Sequence, residues 1–252
     1  MRPVLVLPFH DPDGRLLEQL ERIAGDLKQF FVRAFLSISP PTASDQVDRL
    51  QTLRDDPFFV LNQNEPGTQA GDHYLAGYRN AILHSAPTQQ LHLCDIDKVA
   101  YALQSDYRTL FITDVRGTVD TPPLLFQRSL SAWATYPQIY RELEQMAIRI
   151  GELHFGRYFD FAWSYLIIEA QQLQALLSQI RSHDFGLLPE MVLLLREQLQ
   201  TKDVDWLAWE DPFLCNRDAA TLRMERDHEP SETRKRLLWN KAVLQQVLAA
   251  IE

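Results

Sequence analysis

The sequence predicts a single α/β domain with a mostly parallel sheet, helices on both faces and a more helical second half. Short apolar runs alternate with segments of helical periodicity through the first half of the chain. Such alternation is typical of a parallel sheet covered on both faces. A length of 252 residues suits one domain of this kind, and neither an internal repeat nor a Ser/Gly/Pro-rich linker divides the sequence.

The first strand and the first helix have the clearest patterns. Residues 4–7 are aliphatic and lie between two prolines, as expected of a short buried strand. Residues 11–14 have the composition of a turn, and apolar side chains then recur at helical spacing over 16–27. The chain therefore begins with a strand, a turn and an amphipathic helix.

The other elements of the first half continue this alternation. Predicted strands cover 31–38, 58–62, 90–94 and 109–113, and predicted helices cover 44–54, 74–84 and about 98–105. Ligands of such sheets bind beside the carboxyl ends of the parallel strands, where the strand order switches. We therefore expect one rim to be formed by the loops at 8–11, 37–41, 63–72 and 95–97.

Helical periodicity dominates the second half. The predicted helices cover 124–150 (broken near Pro137), 169–181, 188–199 and 233–251. Strands are predicted over 162–168 and 204–209. These elements are expected to extend the first half rather than to form a separate domain.

The composition excludes several classes of protein. The 25 basic and 34 acidic side chains give a formal net charge of −9, which argues against nucleic acid as a partner because phosphate backbones require clustered Lys and Arg. Cys94 and Cys215 are too few for a disulfide framework. The N-terminal apolar run is too short for a signal sequence, and no run approaches the length of a membrane span. We expect a cytoplasmic protein, whose oligomeric state the sequence does not indicate.

The most informative motif is Asp95-Ile96-Asp97, which directly follows the apolar run Leu91-His92-Leu93-Cys94. Two carboxylates at the end of one strand repel each other, which raises a pKa unless a cation is bound. Mg²⁺ and Mn²⁺ typically take one or two carboxylates and complete their shells with water and substrate phosphates. The motif therefore indicates a metal–diphosphate site. The alternative is that either aspartate caps the helix that follows.

With this motif the chain resembles the nucleotide-sugar-dependent glycosyltransferases of the GT-A fold, either family 2-like or like the small retaining glycerate glycosyltransferases. Those families open with an apolar strand, here Val4-Leu5-Val6-Leu7-Pro8, and carry an Arg-Asn pair on a helix ahead of the acid motif, here Arg79-Asn80. The segment 184–190 looks like the stretch that follows the acceptor region in the small retaining members. The chain lacks the lysine that several families place before the arginine, and it is short for the class.

The resemblance implies a metal-dependent glycosyltransferase that uses Mg²⁺ or Mn²⁺ to move a sugar from a nucleoside-diphosphate sugar to a small-molecule or carbohydrate acceptor. Residues 1–115 would form the nucleotide-binding half and residues 116–252 the acceptor side. The implied metal ligands are Asp97, Asp95 (directly or through water) and the distant His228. The implied nucleotide-sugar site consists of Pro8, His10, Asp11, Ser39, Gly71, Arg79 and Asp95. Glu190 or Asp184 would contact the acceptor hydroxyl as the catalytic carboxylate.

Structural roles compete with each of these assignments. His228 has charged neighbours typical of an exposed loop, Arg79 fits a surface ion pair, and residues near the strand ends fit ordinary turns. Glu190 fits the acidic first turn of a helix. At the level of function, the alternative is a non-catalytic glycosyltransferase-like binding or assembly module.

A third interpretation concerns the segment 111–120, which resembles the Asp-X-Asp-Gly-Thr signature of haloacid dehalogenase-like phosphatases. Asp114 would be the nucleophile, but Arg116 stands where that family has its general acid. An arginine neither protonates a leaving group nor binds magnesium, so the sequence disfavours this function.

Overall fold

The computed structural model describes residues 2–117, 123–161 and 165–251. These residues form a seven-stranded sheet with the strand order β3-β2-β1-β4-β6-β5-β7. The strands are β1 (Val4–Phe9), β2 (Ala34–Ile38), β3 (Phe59–Gln63), β4 (Gln90–Leu93), β5 (Leu124–Arg128), β6 (Tyr165–Glu169) and β7 (Gln200–Val204). The expected α/β class is confirmed.

The sheet is parallel except at β6. Strands β3, β2, β1 and β4 all run in one direction, and β5 is parallel to β7. Strand β6 runs against both of its neighbours, β4 and β5. The chain moves from β1 outward through β2 to β3 and then returns to place β4 on the other side of β1. A switch in strand order therefore lies between β1 and β4, at the edge where such sheets bind ligands.

Helices cover both faces of the sheet. The helices of the first half are α1 (Arg15–Phe30), α2 (Pro40–Asp45), α3 (Val47–Arg54), α4 (Ala70–Leu83), α5 (Ile96–Gln104) and α6 (Arg108–Arg116). Those of the second half are α7 (Leu130–Thr135), α8 (Gln138–Phe155), α9 (Ala170–Leu177), α10 (Leu187–Leu195), α11 (Asp211–Leu214), α12 (Ala219–His228) and α13 (Pro230–Ile251). One apolar core lies between the sheet and helices α1, α5 and α6, and a second lies beneath α4, α9, α10 and α13.

Three of the predicted elements are wrong. Residues 109–113 belong to helix α6, where Phe111 and Val115 are one helical turn apart and bury the same face. The apolar start of the predicted 124–150 helix is strand β5, since a short apolar run has no period that distinguishes a buried strand from a helix. Strand β7 ends at Val204, and a 3-10 turn over Asp205–Leu207 replaces the predicted strand 204–209.

Other boundaries moved without a change of element type. The predicted helix 44–54 is the pair α2 and α3, which begins earlier. Helices α11 and α12 were not predicted. The predicted strand 162–168 appears as β6. Residues 162–164 of that prediction, including Trp163, lie outside the described residues, as do residues 118–120 of the phosphatase-like segment.

Candidate functional site

The expected rim exists at the carboxyl ends of the first four strands. The loop after β1 contacts the loop after β2, the end of β2 contacts the loop after β3, and a cavity of about 460 Å³ opens between the ends of β1 and β4. We call it the acid-pair cavity. Its lining residues are Pro8, His10, Leu16, Ala70, His73, Tyr74, Asp95, Ile96, Asp97 and Phe185. The cavity thus lies at the switch in strand order.

Asp95 is held in place by two tyrosines. The Tyr74 hydroxyl donates to Asp95 Oδ1 at 3.2 Å, and the Tyr165 hydroxyl donates to Asp95 Oδ2 at 3.3 Å. Tyr74 comes from α4, whereas Tyr165 begins the antiparallel strand β6. Asp95 occupies the N-cap position of α5, yet its side chain makes no capping hydrogen bond. The helix-cap alternative therefore does not account for this carboxylate.

Asp97 lies in the first turn of α5, where its Oδ1 accepts a hydrogen bond of 2.7 Å from the backbone N–H of Lys98. Burial raises the pKa of Asp97, and the charge of Asp211 adds to this effect while Lys98 opposes it. Burial also raises the pKa of Asp95, and the neighbouring Asp97 raises it further. The two acids therefore form a pair in which each charge disfavours the other, the electrostatic environment that a cation relieves.

Lys98 anchors the base of α5 in the protein interior. Its side chain is fully buried and donates to the Tyr136 hydroxyl at 2.7 Å and to the Ala208 carbonyl at 2.9 Å. It also forms an ion pair with the buried Glu210. Because a buried charge needs partners, these contacts connect the helix that carries Asp97 to the segment after β7. Glu210 thereby has a structural role.

The loop after β1 contributes His10 to the cavity and uses Asp11 internally. His10 Nδ1 hydrogen-bonds to Ser39 Oγ at 2.8 Å, and Ser39 Oγ contacts Thr42 Oγ1 at 2.9 Å. Asp11 is buried, and its Oδ2 accepts a hydrogen bond of 2.7 Å from the backbone N–H of Leu17, near the start of α1. Asp11 and Ser39 therefore stabilise the rim from behind. Neither lines the acid-pair cavity, in contrast to what the sequence led us to expect.

The segment between α9 and α10 packs against the first turn of α4. His183 Nδ1 lies 2.6 Å from Asp72 Oδ1, and this contact lowers the pKa of Asp72. Gly71 permits the approach, because a Cβ atom at this position would lie 2.5 Å from the carbonyl oxygens of His183 and Asp184. Gly71 is therefore a packing glycine and not a lining residue. Phe185, in the same segment, lines the acid-pair cavity.

A second cavity of about 430 Å³ shares Tyr74 and Phe185 with the first. We call it the adjoining cavity. Its other lining residues are Asp184, Leu188, Glu232, Lys235, Arg236, Leu238, Trp239 and Ala242. Asp184, one of the two candidate catalytic carboxylates, therefore lies beside the acid-pair cavity, in the second half of the chain.

Glu190, the other candidate carboxylate, is a loop anchor. Its oxygens accept hydrogen bonds from the backbone N–H groups of Arg181, at 3.0 Å, and Ser182, at 2.9 Å. It lines a different cavity, of about 910 Å³, which contains neither aspartate of the pair. The structure thus separates the two candidates, and Glu190 is the one placed away from Asp95 and Asp97.

Two other predicted residues lie apart from the acid pair. His228 is exposed at the end of α12, with Nδ1 2.7 Å from the Met224 carbonyl oxygen. Arg79 is exposed on α4, five residues after Tyr74 and hence on another face of the helix, and lines neither cavity. Among the described residues, no group of three or more His, Cys, Asp or Glu side chains is placed to hold a metal ion. The expected three-residue metal shell is not formed.

Asp114 has a structural role. It lies within α6, where its Oδ2 accepts a hydrogen bond of 2.8 Å from Trp206 Nε1 and its Oδ1 pairs with Lys202 at 2.7 Å. The phosphatase interpretation requires this aspartate at the end of a strand. A helix in that place removes the basis of the resemblance.

Several residues of the site were missed at the level of sequence. Tyr74, His73 and Phe185 line the acid-pair cavity, and Tyr165 supports Asp95 from below. Tyr165 reaches Asp95 because Leu166 of β6 pairs with Leu93 of β4, which no local pattern indicates. His73 directly follows the predicted rim loop 63–72, and this position is the signal by which the sequence could have placed it at the site.

Comparisons add no relative to this description: no protein-family model matches the chain, and no curated protein matches its sequence. None of the helices within the described ranges is long and apolar enough to cross a membrane.

Proposed function

We propose that the chain is a glycosyltransferase that binds a nucleoside-diphosphate sugar in the acid-pair cavity. The observation that carries the proposal is the position of Asp95 and Asp97, which line a cavity at the switch in strand order of a mostly parallel sheet. A cavity of about 460 Å³ is within the usual range for small-molecule sites. A GT-A-like fold is part of the proposal, supported by the mixed sheet and by the acid motif after its central strand β4.

The donor set fits a divalent cation with two protein carboxylates. Asp95 and Asp97 are adjacent, half-buried and mutually destabilised as anions, and Mg²⁺ or Mn²⁺ is commonly bound by one or two carboxylates together with substrate phosphates and water. His228 does not fit as a third ligand because it lies at the exposed end of α12. A bound cation would supply charge neutralisation to the departing diphosphate.

The protein's own contribution is to hold and shield the reactants. Tyr74 and Tyr165 orient Asp95, so this carboxylate is preorganised for donor hydroxyls or for the cation. Pro8 and His10 also line the cavity, and we assign the nucleoside to them. Phe185 lines both cavities, and we assign it the shielding of the reacting groups from solvent.

Transfer replaces one bond to the anomeric carbon by another. The bond from that carbon to the diphosphate oxygen breaks, a bond to the acceptor oxygen forms, and the nucleoside diphosphate leaves. We assign the acceptor to the adjoining cavity and give Asp184 the contact with the acceptor hydroxyl, as its base in an inverting reaction or its positioning group in a retaining one. The assignment of Glu190 to this role is abandoned because Glu190 lines a separate cavity that contains neither Asp95 nor Asp97.

The position of His228 favours a second candidate, a non-catalytic glycosyltransferase-like binding module. The resemblance implied that Asp95, Asp97 and His228 together bind the cation of the enzyme, but the three do not converge, and a binding module needs no such cation site. A module of this kind would bind a nucleotide or another ligand without a requirement for a divalent cation.

A thermal-shift panel separates the two candidates. Nucleoside diphosphates and their sugars are added with and without Mn²⁺ to the wild type, to Asp97→Asn and to Asp106→Asn, a matched control because Asp106 is exposed just after α5. A ligand at 100 times its Kd adds about 2.7 kcal/mol to the free energy of unfolding, which corresponds to a rise of roughly 5–10 °C in melting temperature at this chain length.

The enzyme is supported if one nucleotide sugar gives a Mn²⁺-dependent shift that Asp97→Asn loses and Asp106→Asn keeps. Transfer to an acceptor or slow hydrolysis of that donor, followed by release of the nucleoside diphosphate, then completes the assignment. A shift in melting temperature that is the same with and without Mn²⁺, and the same in Asp97→Asn as in the wild type, would favour the binding module. The absence of a shift with every nucleotide would refute the glycosyltransferase.

A further inference from the structure

The adjoining cavity has mainly apolar walls. Leu188 of α10 is buried at its base, and Trp239 and Ala242 of α13 form one side. Phe185 and Leu238 lie at its rim with 42% and 61% of their surface exposed. Large apolar side chains left open around a cavity of about 430 Å³ indicate an apolar ligand group rather than a fully hydrated one.

Three of the four charged residues that line this cavity are already paired with opposite charges. Glu232 Oε1 accepts from Arg226 and Lys235, each at 2.8 Å, and its Oε2 accepts from Tyr140 at 2.8 Å. Arg236 donates to the buried Glu144 at 3.1 Å, with its guanidinium 3.8 Å from the centre of the Tyr140 ring.

These pairings leave little to attract a small anion. The two lining acids, Asp184 and Glu232, balance the two lining bases, Lys235 and Arg236. A carboxylate or phosphate entering here would have to displace Glu232 from Lys235, whose side chain is otherwise 72% exposed to water. The electrostatics of the cavity therefore offer no net charge for binding an anion.

From this lining we infer that the adjoining cavity binds the apolar body of the glycosyl acceptor, so that the acceptor is an amphiphile with an aromatic or alkyl group and a reactive hydroxyl. Because Tyr74 and Phe185 belong to both cavities, an apolar body seated on Trp239 directs its hydroxyl past these two rings towards Asp95 and Asp97. The identification of this ligand as the glycosyl acceptor rests on the proposed function. Binding of an amphiphile to the adjoining cavity does not, and it is tested without a sugar donor.

The test uses phenyl β-D-glucoside, methyl β-D-glucoside and glycerate as probes in titration calorimetry with the full chain. The two glucosides share their sugar and differ in the apolar group, and glycerate represents a small polar anion. We expect phenyl β-D-glucoside to bind at least about tenfold more tightly than the methyl compound, as burial of one ring implies.

Substitutions on α13 locate the site. Ala242→Phe fills the adjoining cavity and is expected to weaken phenyl glucoside binding by about tenfold or more. The matched control is Ala249→Phe, the same change on the same helix beside the separate 910 Å³ cavity, which leaves the affinity unchanged. If Ala242→Phe does not fold, Leu238→Gln at the exposed rim carries the test, with an expected loss of several-fold.

Three results would each overturn the inference. The two glucosides could bind with equal affinity, glycerate could bind more tightly than either glucoside, or phenyl glucoside could bind a folded Ala242→Phe or Leu238→Gln variant as tightly as the wild type. The nucleotide panel is read separately. A positive panel with failed glucoside binding removes only the acceptor class, whereas a negative panel removes the glycosyltransferase and leaves the glucoside result as evidence on the cavity alone.

Discussion

Replacing His92 should make the protein more resistant to acid. His92 lies in the middle of β4, has no exposed surface and is surrounded by the rings of Phe31, Phe111 and Phe126 at centroid distances of 5.9, 6.3 and 5.9 Å. Neither of its ring nitrogens has a hydrogen-bond partner among the described residues. Burial lowers its pKa from 6.5 to about 3, so the folded protein holds this side chain neutral.

The sign and size of the effect follow from proton linkage. Between pH 6.5 and about 3 the unfolded chain binds a proton at His92 that the folded chain does not, so stability falls as the pH falls. Between pH 7 and pH 5, this one group lowers the free energy of unfolding by about 2 kcal/mol. His92→Leu has a similar side-chain volume and no titrating group, and it removes this loss.

Urea unfolding at pH 7 and pH 5 measures the difference. The wild type is compared with His92→Leu and with His154→Gln, a control that removes an exposed histidine from α8. The carboxylates contribute equally to the pH dependence of all three proteins. The free energy of unfolding that His92→Leu loses between pH 7 and pH 5 should therefore be about 2 kcal/mol smaller than the loss of the wild type. The loss of His154→Gln should match that of the wild type. If His92→Leu loses as much stability as the wild type, His92 is protonated or hydrogen-bonded in the folded state and the reasoning fails.

Three further substitutions test the site. Asp97→Asn should raise the melting temperature at pH 8, because the raised pKa values of the acid pair mean that its charges oppose folding at high pH; an unchanged or lower value in thermal melts would contradict this. Lys98→Met should lower the free energy of unfolding, measured in urea, by about 3–5 kcal/mol because it leaves the buried Glu210 unpaired. The double variant that also carries Glu210→Gln should recover part of this loss. Gly71→Ala should cost about 1–3 kcal/mol through contact with the 183–184 backbone, whereas Gly25→Ala, in open space on α1, should gain up to about 1 kcal/mol.

The first four strands were predictable from local patterns. Each is a short apolar run between turn signals, and the helices between them have an apolar stripe that the sequence displays directly. The motif Asp95-Ile96-Asp97 was correctly placed at the end of one of these runs and on the rim of the sheet.

Long-range contacts caused the errors. Residues 109–113 have strand-like composition, but Phe111 packs on Trp206 and His92, and that packing requires the helix α6. Arg79 and His228 matched a family pattern by their positions in the sequence. In the structure, however, Arg79 lies on a face of α4 that is turned away from the acid-pair cavity, and His228 is exposed to solvent at the end of α12. Sequence spacing does not specify either orientation.

The sequence by itself determined the alternation of strands and helices, the acidic balance and the end of β4 as the place for two carboxylates, because these depend on near neighbours along the chain. Only the tertiary structure decided that Tyr165 from β6 supports Asp95, that Glu210 neutralises Lys98, and that Asp184 rather than Glu190 lies beside the acid pair. The Tyr165–Asp95 and Lys98–Glu210 contacts join residues 70 and 112 positions apart, where the order of strands in the sheet, and not any local period, sets which side chains meet.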